Sequence, residues 1–143
     1  MAHYPAKILV ASDGSEVSAR ALAHAAELAA PLGSEVHVVT VGLISMWTHP
    51  DTLSGAQFER IKQETQDRLD AEVGKLRGAG VDNVQGHARL GKVDGEILRL
   101  IEELDIGLAI IGNRGMGSLA RILLGSDAES VVRHASCAVL VVR

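Results

Sequence analysis

The segment AIIGNRGMGSLARILLGSDAESVV, residues 109–132, runs from a short apolar stretch through a glycine-rich stretch into an amphipathic one. Three glycines fall within six residues, at Gly112, Gly115 and Gly117, and Gly125 stands directly before a serine. A strand, a glycine-rich loop and a helix in this order are typical of sites where the backbone closely approaches a bound group. The segment therefore predicts a strand–loop–helix unit, with a phosphate-binding loop as one interpretation.

The same alternation of short apolar and longer amphipathic stretches extends over the whole chain. Four apolar runs rich in β-branched residues predict strands buried on both faces, and a fifth, more alternating run is expected toward a sheet edge. Gly33 and Gly78 stand where the first two helical patterns end. The predicted strands are 7–12, 35–41, 81–90, 108–112 and 138–142, and the predicted helices are 15–32, 53–77, 93–104 and 126–134. This order predicts one α/β domain over residues 1–143, a doubly wound parallel sheet with helices on both faces.

Composition limits the classes of protein that fit. The chain has 143 residues and a formal net charge of −4, with no basic run, which argues against nucleic acid as the main partner. Its single cysteine, Cys137, cannot form an internal disulfide, as expected in a reducing compartment. No segment is apolar and long enough to cross a membrane, and the first residues lack a signal-peptide pattern. We therefore expect a cytoplasmic protein without a membrane partner.

In a doubly wound sheet, ligands bind beyond the carboxyl ends of the strands, where the strand order reverses. Residues 12–15, Val41 with Gly42, and the glycine-rich segment all follow predicted strands and are expected to meet at one crevice. Residues 42–57 form the one long irregular segment. Its Trp47 is either a lid or interface residue or a surface aromatic, and its His49 is a weak catalytic candidate.

Two short glycine motifs fail as nucleotide-binding signatures. GHARLGKV, residues 86–93, matches the first seven positions of a Walker A loop but has Val93 where a serine or threonine must bind Mg²⁺. GMGSLA, residues 115–120, matches a dinucleotide-binding variant, but no acidic residue follows at the end of the next strand, where the ribose would need it. Both matches are therefore interpreted as accidental.

A longer motif is formed by Gly112, Gly115, Gly125 and Ser126. The first two glycines would let the chain turn tightly off its strand with free amides facing inward. The second pair would begin the last helix, whose first amides favour an anion, and Arg114 and Arg121 would add positive charge. The alternative is that the glycines are turn residues and that Ser126 caps the helix, since SDAE, residues 126–129, forms a capping box. Spacing alone leaves both interpretations open.

Three motifs together resemble the universal stress protein family. GNRGMGSLARILLGS, residues 112–126, matches its ATP-binding signature G-x2-G-x9-G-[S/T], and ILVASDGSE (8–16) and VVRHASCAVLVVR (131–143) resemble its first strand with loop and its last helix and strand. The resemblance implies a three-layer, Rossmann-like nucleotide-binding fold with strand order 3-2-1-4-5. It also implies an adenine nucleotide, ATP with or without Mg²⁺, and a homodimer formed through the last strands.

By position, the resemblance implies that Asp13 meets the adenosine portion and that Ala11 and Val41 border the adenine. It also assigns Ser12, beside Asp13, to the nucleotide. Around the ribose and phosphates it places Gly112, Asn113, Arg114 and Gly115. At the terminal phosphates it places Gly125, Ser126 and the amide of Asp127.

The chain departs from the family pattern at two positions. Asp127 places a carboxylate where a small or apolar residue is common, and it could repel a phosphate unless its side chain points outward. Gly107 replaces an aspartate before the fourth strand, away from the ligand.

Three functions fit these observations. The leading one is a nucleotide-binding regulatory module of the stress response, because no His or Glu lies in the three predicted crevice loops to activate a water, and the six histidines do not cluster in sequence. We assign no catalytic residue. The alternatives are a slow ATPase or nucleotide-dependent transferase, and a nucleotide-free dimeric scaffold in which Asp127 has closed the phosphate site.

Overall fold

The apolar runs form one parallel sheet in a computed structural model that describes residues 4–43, 54–114 and 124–143. The strand order is β3-β2-β1-β4-β5, as the family resemblance implied, and every pairing is parallel. Along the chain the elements are β1 (Lys7–Ala11), α1 (Glu16–Leu32), β2 (Glu35–Leu43), α2 (Gly55–Gly78), β3 (Val84–Gly91), α3 (Val93–Leu104), β4 (Leu108–Gly112), α4 (Ser126–His134) and β5 (Ala138–Val142). The predicted fold class is therefore confirmed.

The continuous apolar strands are explained by a core on each face of the sheet. Successive residues of a strand point to opposite faces, so Ile8 and Val10 lie in one core and Leu9 in the other. The first core is closed by the alanine-rich face of α1 and by Leu69 and Leu76 of α2. The second core is closed by α3 and α4 through Ile97, Leu100, Ile101 and Val131. The result is the predicted three-layer arrangement.

Local capping explains where the first two helices begin and end. Ser15 caps α1, accepting a hydrogen bond from the Ser18 amide at 3.2 Å, and Gly33 ends it with a left-handed φ of 67°. Ser54 and Gln57 form a capping box at the start of α2, so this helix begins two residues later than the predicted residue 53. Among the described residues, no helix combines the length and the apolar character needed to span a membrane.

The capping box predicted for residues 126–129 is wrong. The N-cap of α4 is Gly125, the helix begins at Ser126, and no side chain caps it. Gly125 is held in this position because its amide donates to the Asn113 carbonyl at 2.5 Å, while its own carbonyl accepts from Glu129 at 2.8 Å. Ser126 is thus already inside the helix, where its hydroxyl is not used as a cap.

Candidate functional site

A crevice of about 500 Å³ opens at the carboxyl ends of the strands, where β1 lies between β2 and β4. This is the point at which the strand order reverses, and the volume is typical of sites for small molecules. Nine of the predicted site residues line it: Ala11, Ser12, Asp13, Val41, Gly112, Arg114, Gly125, Ser126 and Asp127. Asn113 lies next to the crevice without lining it. Gly115 lies outside the described residues, as do Gly117, Arg121, Trp47 and His49.

One wall of the crevice is apolar. The side chains of β2, α3, β4 and α4 supply Val39, Val41, Val93, Ile97, Ile111 and Val131. Val39, Ile97, Ile111 and Val131 are buried members of the core between the sheet and helices α3 and α4, and the half-buried Val41 and Val93 pack against that core. The apolar surface that Val41 and Val93 leave exposed suits a flat apolar group, since contact with it removes apolar area from water.

The loop after β1 places two polar residues differently. Asp13 Oδ1 accepts the Ser15 amide at 2.9 Å, which fixes the carboxylate at the rim of the crevice, beside the start of α1. The hydroxyl of Ser12 instead belongs to a buried network, with Ser18 Oγ at 3.3 Å and Glu72 Oε2 at 3.1 Å. Lys75 Nζ completes the network at 3.0 Å from Glu72 Oε1. Ser12 therefore lines the crevice while its hydroxyl is engaged in this network.

Gly112 has a different role from the one predicted for it. It is the last residue of β4 and does not have a left-handed φ. A Cβ added there would lie 2.5 Å from Val17 Cγ1, so the glycine is needed where α1 packs on the sheet. The next amide, of Asn113, does not face inward but donates to the Val142 carbonyl at 2.7 Å, continuing the pairing of β4 with β5.

The amino end of α4 forms the polar end of the crevice. Its first internal hydrogen bond runs from the Glu129 amide to the Gly125 carbonyl, so the amides of Ser126, Asp127 and Ala128 have no acceptor within the helix. These amides carry the positive end of the helix dipole and favour an anion. The Gly125 amide, by contrast, is already bonded to Asn113, so Gly125 contributes a close backbone approach only.

Asp127 lines the crevice as an exposed residue. Its carboxylate lies near that of Asp94, in the first turn of α3, and the Asp94 carboxylate accepts a hydrogen bond from Ser130 Oγ at 2.8 Å. Partial desolvation, and then the nearby Asp94 charge, raise the pKa of Asp127 above its usual 3.8. The Ser130 hydrogen bond is the main cause that lowers the pKa of Asp94. The Asp94–Ser130 hydrogen bond therefore joins the amino ends of α3 and α4 beside the crevice.

Helix α2 supplies a wall that sequence reasoning missed. Ile61, Glu64, Thr65 and Arg68 line the crevice, and they repeat at the spacing of one helix face. The helix lies directly on the end of β2, because a Cβ at Gly42 would collide with Thr65 Oγ1 and lie 2.7 Å from Leu90 Cδ2. The helical spacing was visible in the sequence, but it continues into the buried Leu69 and Leu76 and so indicated only a core face.

The histidines, which are far apart in sequence, include one pair that is adjacent in space. His37 Nδ1 and His87 Nε2 lie 2.8 Å apart on neighbouring strands, and their rings are stacked with centroids 5.1 Å apart. Neither of them lines the crevice, and no other described histidine does. Gly107, the second departure from the family pattern, donates its amide to the Lys7 carbonyl at 3.0 Å at the start of β4, away from the crevice.

Fold and site together define a doubly wound α/β domain whose crevice combines an apolar wall with a helix end whose first amides have no acceptor within the helix. The chain belongs to the universal stress protein family, whose model matches residues 6–143. It is 37% identical over 131 residues to Universal stress protein G of Salmonella typhimurium, covering 90% of each chain.

Solved structures agree on the fold. The protein MJ0577 superposes with a TM-score of 0.85 at 26% identity, covering 95% of this chain and 94% of its own. A universal stress protein in complex with cAMP has a TM-score of 0.75 at 22% identity and covers 96% of both chains. The universal stress protein of Archaeoglobus fulgidus in complex with dAMP has a TM-score of 0.73 at 24% identity over the full length of both chains.

Proposed function

We propose that this universal stress protein is a regulatory module of the stress response that holds ATP or another adenine nucleotide in the crevice at the ends of β1 and β4. The observation that carries the proposal is the pairing of an apolar wall with the first-turn amides of α4 in one cavity. A nucleotide presents a flat base and an anionic phosphate together, which is the combination that these two surfaces favour. The cAMP and dAMP held by two proteins of the same fold support this choice of ligand.

In this proposal the base lies against Ala11 and Val41, and Asp13 accepts hydrogen bonds from the ribose hydroxyls. The ribose and phosphates are surrounded by Asn113, Arg114 and the neighbouring glycines, Gly112, Gly115 and Gly125. The outermost phosphate is held by the amides of Ser126 and Asp127. A Mg²⁺ ion would be bound by the phosphates of the nucleotide. Among the described residues, no group of three or more His, Cys, Asp or Glu side chains is placed to hold a metal ion.

We also propose that the protein is a cytoplasmic homodimer formed through β5. This strand is at an edge of the sheet, so its outer backbone groups are available to a second copy. The single cysteine of the chain, which has no internal partner, suits a reducing compartment.

Nucleotide binding is tested first by mass spectrometry of small molecules released from gently purified protein, and then by calorimetric titration with adenosine and ATP. We expect Asp13→Asn to weaken the binding of both ligands about tenfold or more, because a charged acceptor of the ribose hydrogen bonds is lost. Asp82→Asn is the matched control: it removes the same charge from an exposed residue just before β3, at the opposite end of the strands. Release of no nucleotide, together with no binding of any adenine ligand, would refute the proposal.

A further inference from the structure

The phosphate end of the crevice carries a carboxylate among its anion-binding amides. Asp127 is the second residue of α4 and lines the crevice with Gly125 and Ser126. Its own amide belongs to the group that favours an anion, whereas its side chain carries the same sign of charge as a phosphate. The two effects oppose each other, so the charge of the ligand decides how strongly the crevice holds it.

The Asp127 carboxylate shares the amino ends of α3 and α4 with a second carboxylate, that of Asp94. Asp94 is fixed there because it accepts a hydrogen bond from Ser130 Oγ at 2.8 Å. The N-cap residue of α3, Lys92, provides no side-chain cap. A ligand approaching the α4 amides therefore meets the Asp127 charge with the Asp94 charge next to it.

Among the described residues, the charges around this pair are of both signs. From α3, Lys92 is close enough to favour the ionised forms of Asp94 and Asp127, but it is one cation beside two carboxylates. Among the described residues, the ionisable side chains that line the crevice are Asp13, Glu64, Arg68, Arg114 and Asp127. Carboxylates thus outnumber guanidinium groups on the described lining.

We propose, on the basis of the nucleotide-binding function above, that Asp127 selects adenine nucleotides by charge and that the crevice takes a singly charged cyclic phosphodiester in preference to a phosphomonoester or a triphosphate. A phosphomonoester carries about −1.5 to −2 charges at pH 7, whereas a cyclic diester has no second ionisable oxygen and keeps one. Each added charge increases the repulsion from Asp127, while the three amides that attract the phosphate stay the same. The apolar wall and Asp13 line the crevice in the same way for all of these ligands.

The test is calorimetric titration with adenosine, cAMP, AMP and ATP in metal-free buffer at pH 7.5, using the wild type and Asp127→Asn. In the wild type we expect cAMP to bind more tightly than AMP, and AMP more tightly than ATP. In Asp127→Asn we expect AMP and ATP to gain about tenfold in affinity, as the removal of one nearby like charge predicts, while adenosine changes less than twofold. The hydrogen bond between Asp94 and Ser130, which joins α3 to α4, does not involve residue 127, so the variant retains this contact.

Glu129→Gln is the matched control. It removes one carboxylate from the same first turn of α4, but Glu129 is paired with Arg133 at 2.8 Å and does not line the crevice. Its affinities should equal those of the wild type. Equal gains in Glu129→Gln and Asp127→Asn would overturn the proposal, because the effect would then reflect only the net charge of the helix end.

A second measurement uses pH. Because its pKa is raised, Asp127 is neutralised at a higher pH than an ordinary aspartate as the pH falls from 7 to 5, whereas the single charge of cAMP does not change. The affinity for cAMP relative to adenosine should therefore rise in the wild type and stay constant in Asp127→Asn. A ratio that changes equally in both proteins would overturn the assignment to Asp127.

The outcomes separate this inference from the proposed function. Adenosine binding without discrimination between cAMP, AMP and ATP would overturn the charge selection and leave nucleotide binding intact. No binding of any of the four ligands would refute both. Tighter binding of ATP than of cAMP in the presence of Mg²⁺, lost in Asp127→Asn, would also overturn the inference, since Asp127 would then act as a metal ligand.

Discussion

Gly112 and Gly125 are both favoured by the protein's own packing before any ligand is considered. Gly112 makes room for Val17, and a Cβ at Gly125 would lie 3.3 Å from the Asn113 carbonyl oxygen. Both positions belong to the glycine signature, so the residues that would bring the backbone close to the proposed nucleotide also let α1 pack on β4 and the start of α4 approach Asn113. A glycine signature can therefore reflect close packing and ligand binding together.

The first stability prediction concerns Gly112→Ala. The added methyl group would overlap Val17 Cγ1, because the two carbons would be 2.5 Å apart. We expect the free energy of unfolding to fall by about 1–3 kcal/mol, the usual cost of overpacking a core. The measurement is urea denaturation followed by circular dichroism, at a pH where the wild type is fully folded.

Two further variants test the cause. Val17→Ala in the Gly112→Ala background should recover part of the loss, with a coupling energy of about 1 kcal/mol in a double-mutant cycle. Gly74→Ala is the matched control, because Gly74 lies inside α2 with no atom near its added Cβ. It should stabilise the protein by about 0.5–1 kcal/mol through helix propensity. If Gly112→Ala were as stable as the wild type, α1 would be able to shift away from the added methyl group without loss of stability, and the prediction would be wrong.

At the scale of elements, strands β2 and β3 bring together ionisable groups that are 50 residues apart. His37 is 1% exposed and lies between His87 and Glu35, whose Oε1 is 2.6 Å from His37 Nε2. Burial, and then the His37 and Arg89 charges, lower the pKa of His87 below 6.5, while Glu103 of α3 opposes the shift. The folded protein therefore favours the neutral form of His87.

This shift predicts that stability falls on mild acidification. Because the pKa of His87 is lower in the folded chain, the unfolded chain takes up more protons once the pH drops below about 6.5. Stability is fully present above that pH and is lost as the pH falls toward the folded pKa. Loss of the His37–His87 hydrogen bond would cost about 0.5–1.5 kcal/mol. Urea denaturation at pH 7.5, 6 and 5 measures the difference.

His87→Gln should flatten this pH dependence, because its side chain does not titrate and still offers a hydrogen-bonding group to His37. His24→Gln is the control, since His24 is exposed on α1, and it should keep the wild-type profile. If His87→Gln lost as much stability as the wild type between pH 7.5 and 5, another group would be responsible.

Helix bounds were predicted well where the pattern was amphipathic and its ends were marked. For α3 the predicted and observed bounds are both Val93–Leu104, and for α4 both are Ser126–His134. The cap of α4 was predicted wrongly because the SDAE motif is equally compatible with Ser126 outside or inside the helix. The hydrogen bond from Gly125 to Asn113, which only the fold provides, decides between them. Strand β3 begins at Val84 rather than at residue 81, since pairing with β2 starts there.

At the scale of the whole molecule, the crevice is the common product of both layers of helices. The predicted loops after β1 and β4 reach it, but so do α2 from one face of the sheet and α3 from the other. A helix wall of this kind has no local sequence motif. Whether one of its residues lines the crevice depends on where the helix packs against the sheet, and not on the neighbours of that residue in sequence. The same reason explains why Glu64 and Arg68 were not predicted.

The proposed dimer is a prediction at this scale. Sedimentation velocity over a dilution series should show a monomer–dimer equilibrium for the wild type. Val139→Lys places a charge on the edge strand β5, at the half farther from the crevice, and should shift the protein toward monomer at least tenfold. Val132→Lys is the control, because Val132 is an apolar residue of α4 that is 46% exposed.

Circular dichroism must show that Val139→Lys remains folded, because Val139 packs partly against the core. A folded variant that dimerises as strongly as the wild type would place the interface elsewhere. A wild type that stays monomeric at every concentration would refute the proposed dimer.

The sequence by itself determined the fold class, the parallel order of alternating elements and nine of the residues that line the crevice. Periodicity and strand-end position are local properties, and the backbone follows them wherever both faces of a sheet are covered. Tertiary structure alone decided that Asp94 is bonded to Ser130, that Ser12 is bonded to Glu72, and that His37 meets His87. Those contacts join residues 36, 60 and 50 positions apart, so their energies depend on how the helices and strands pack and not on any local pattern.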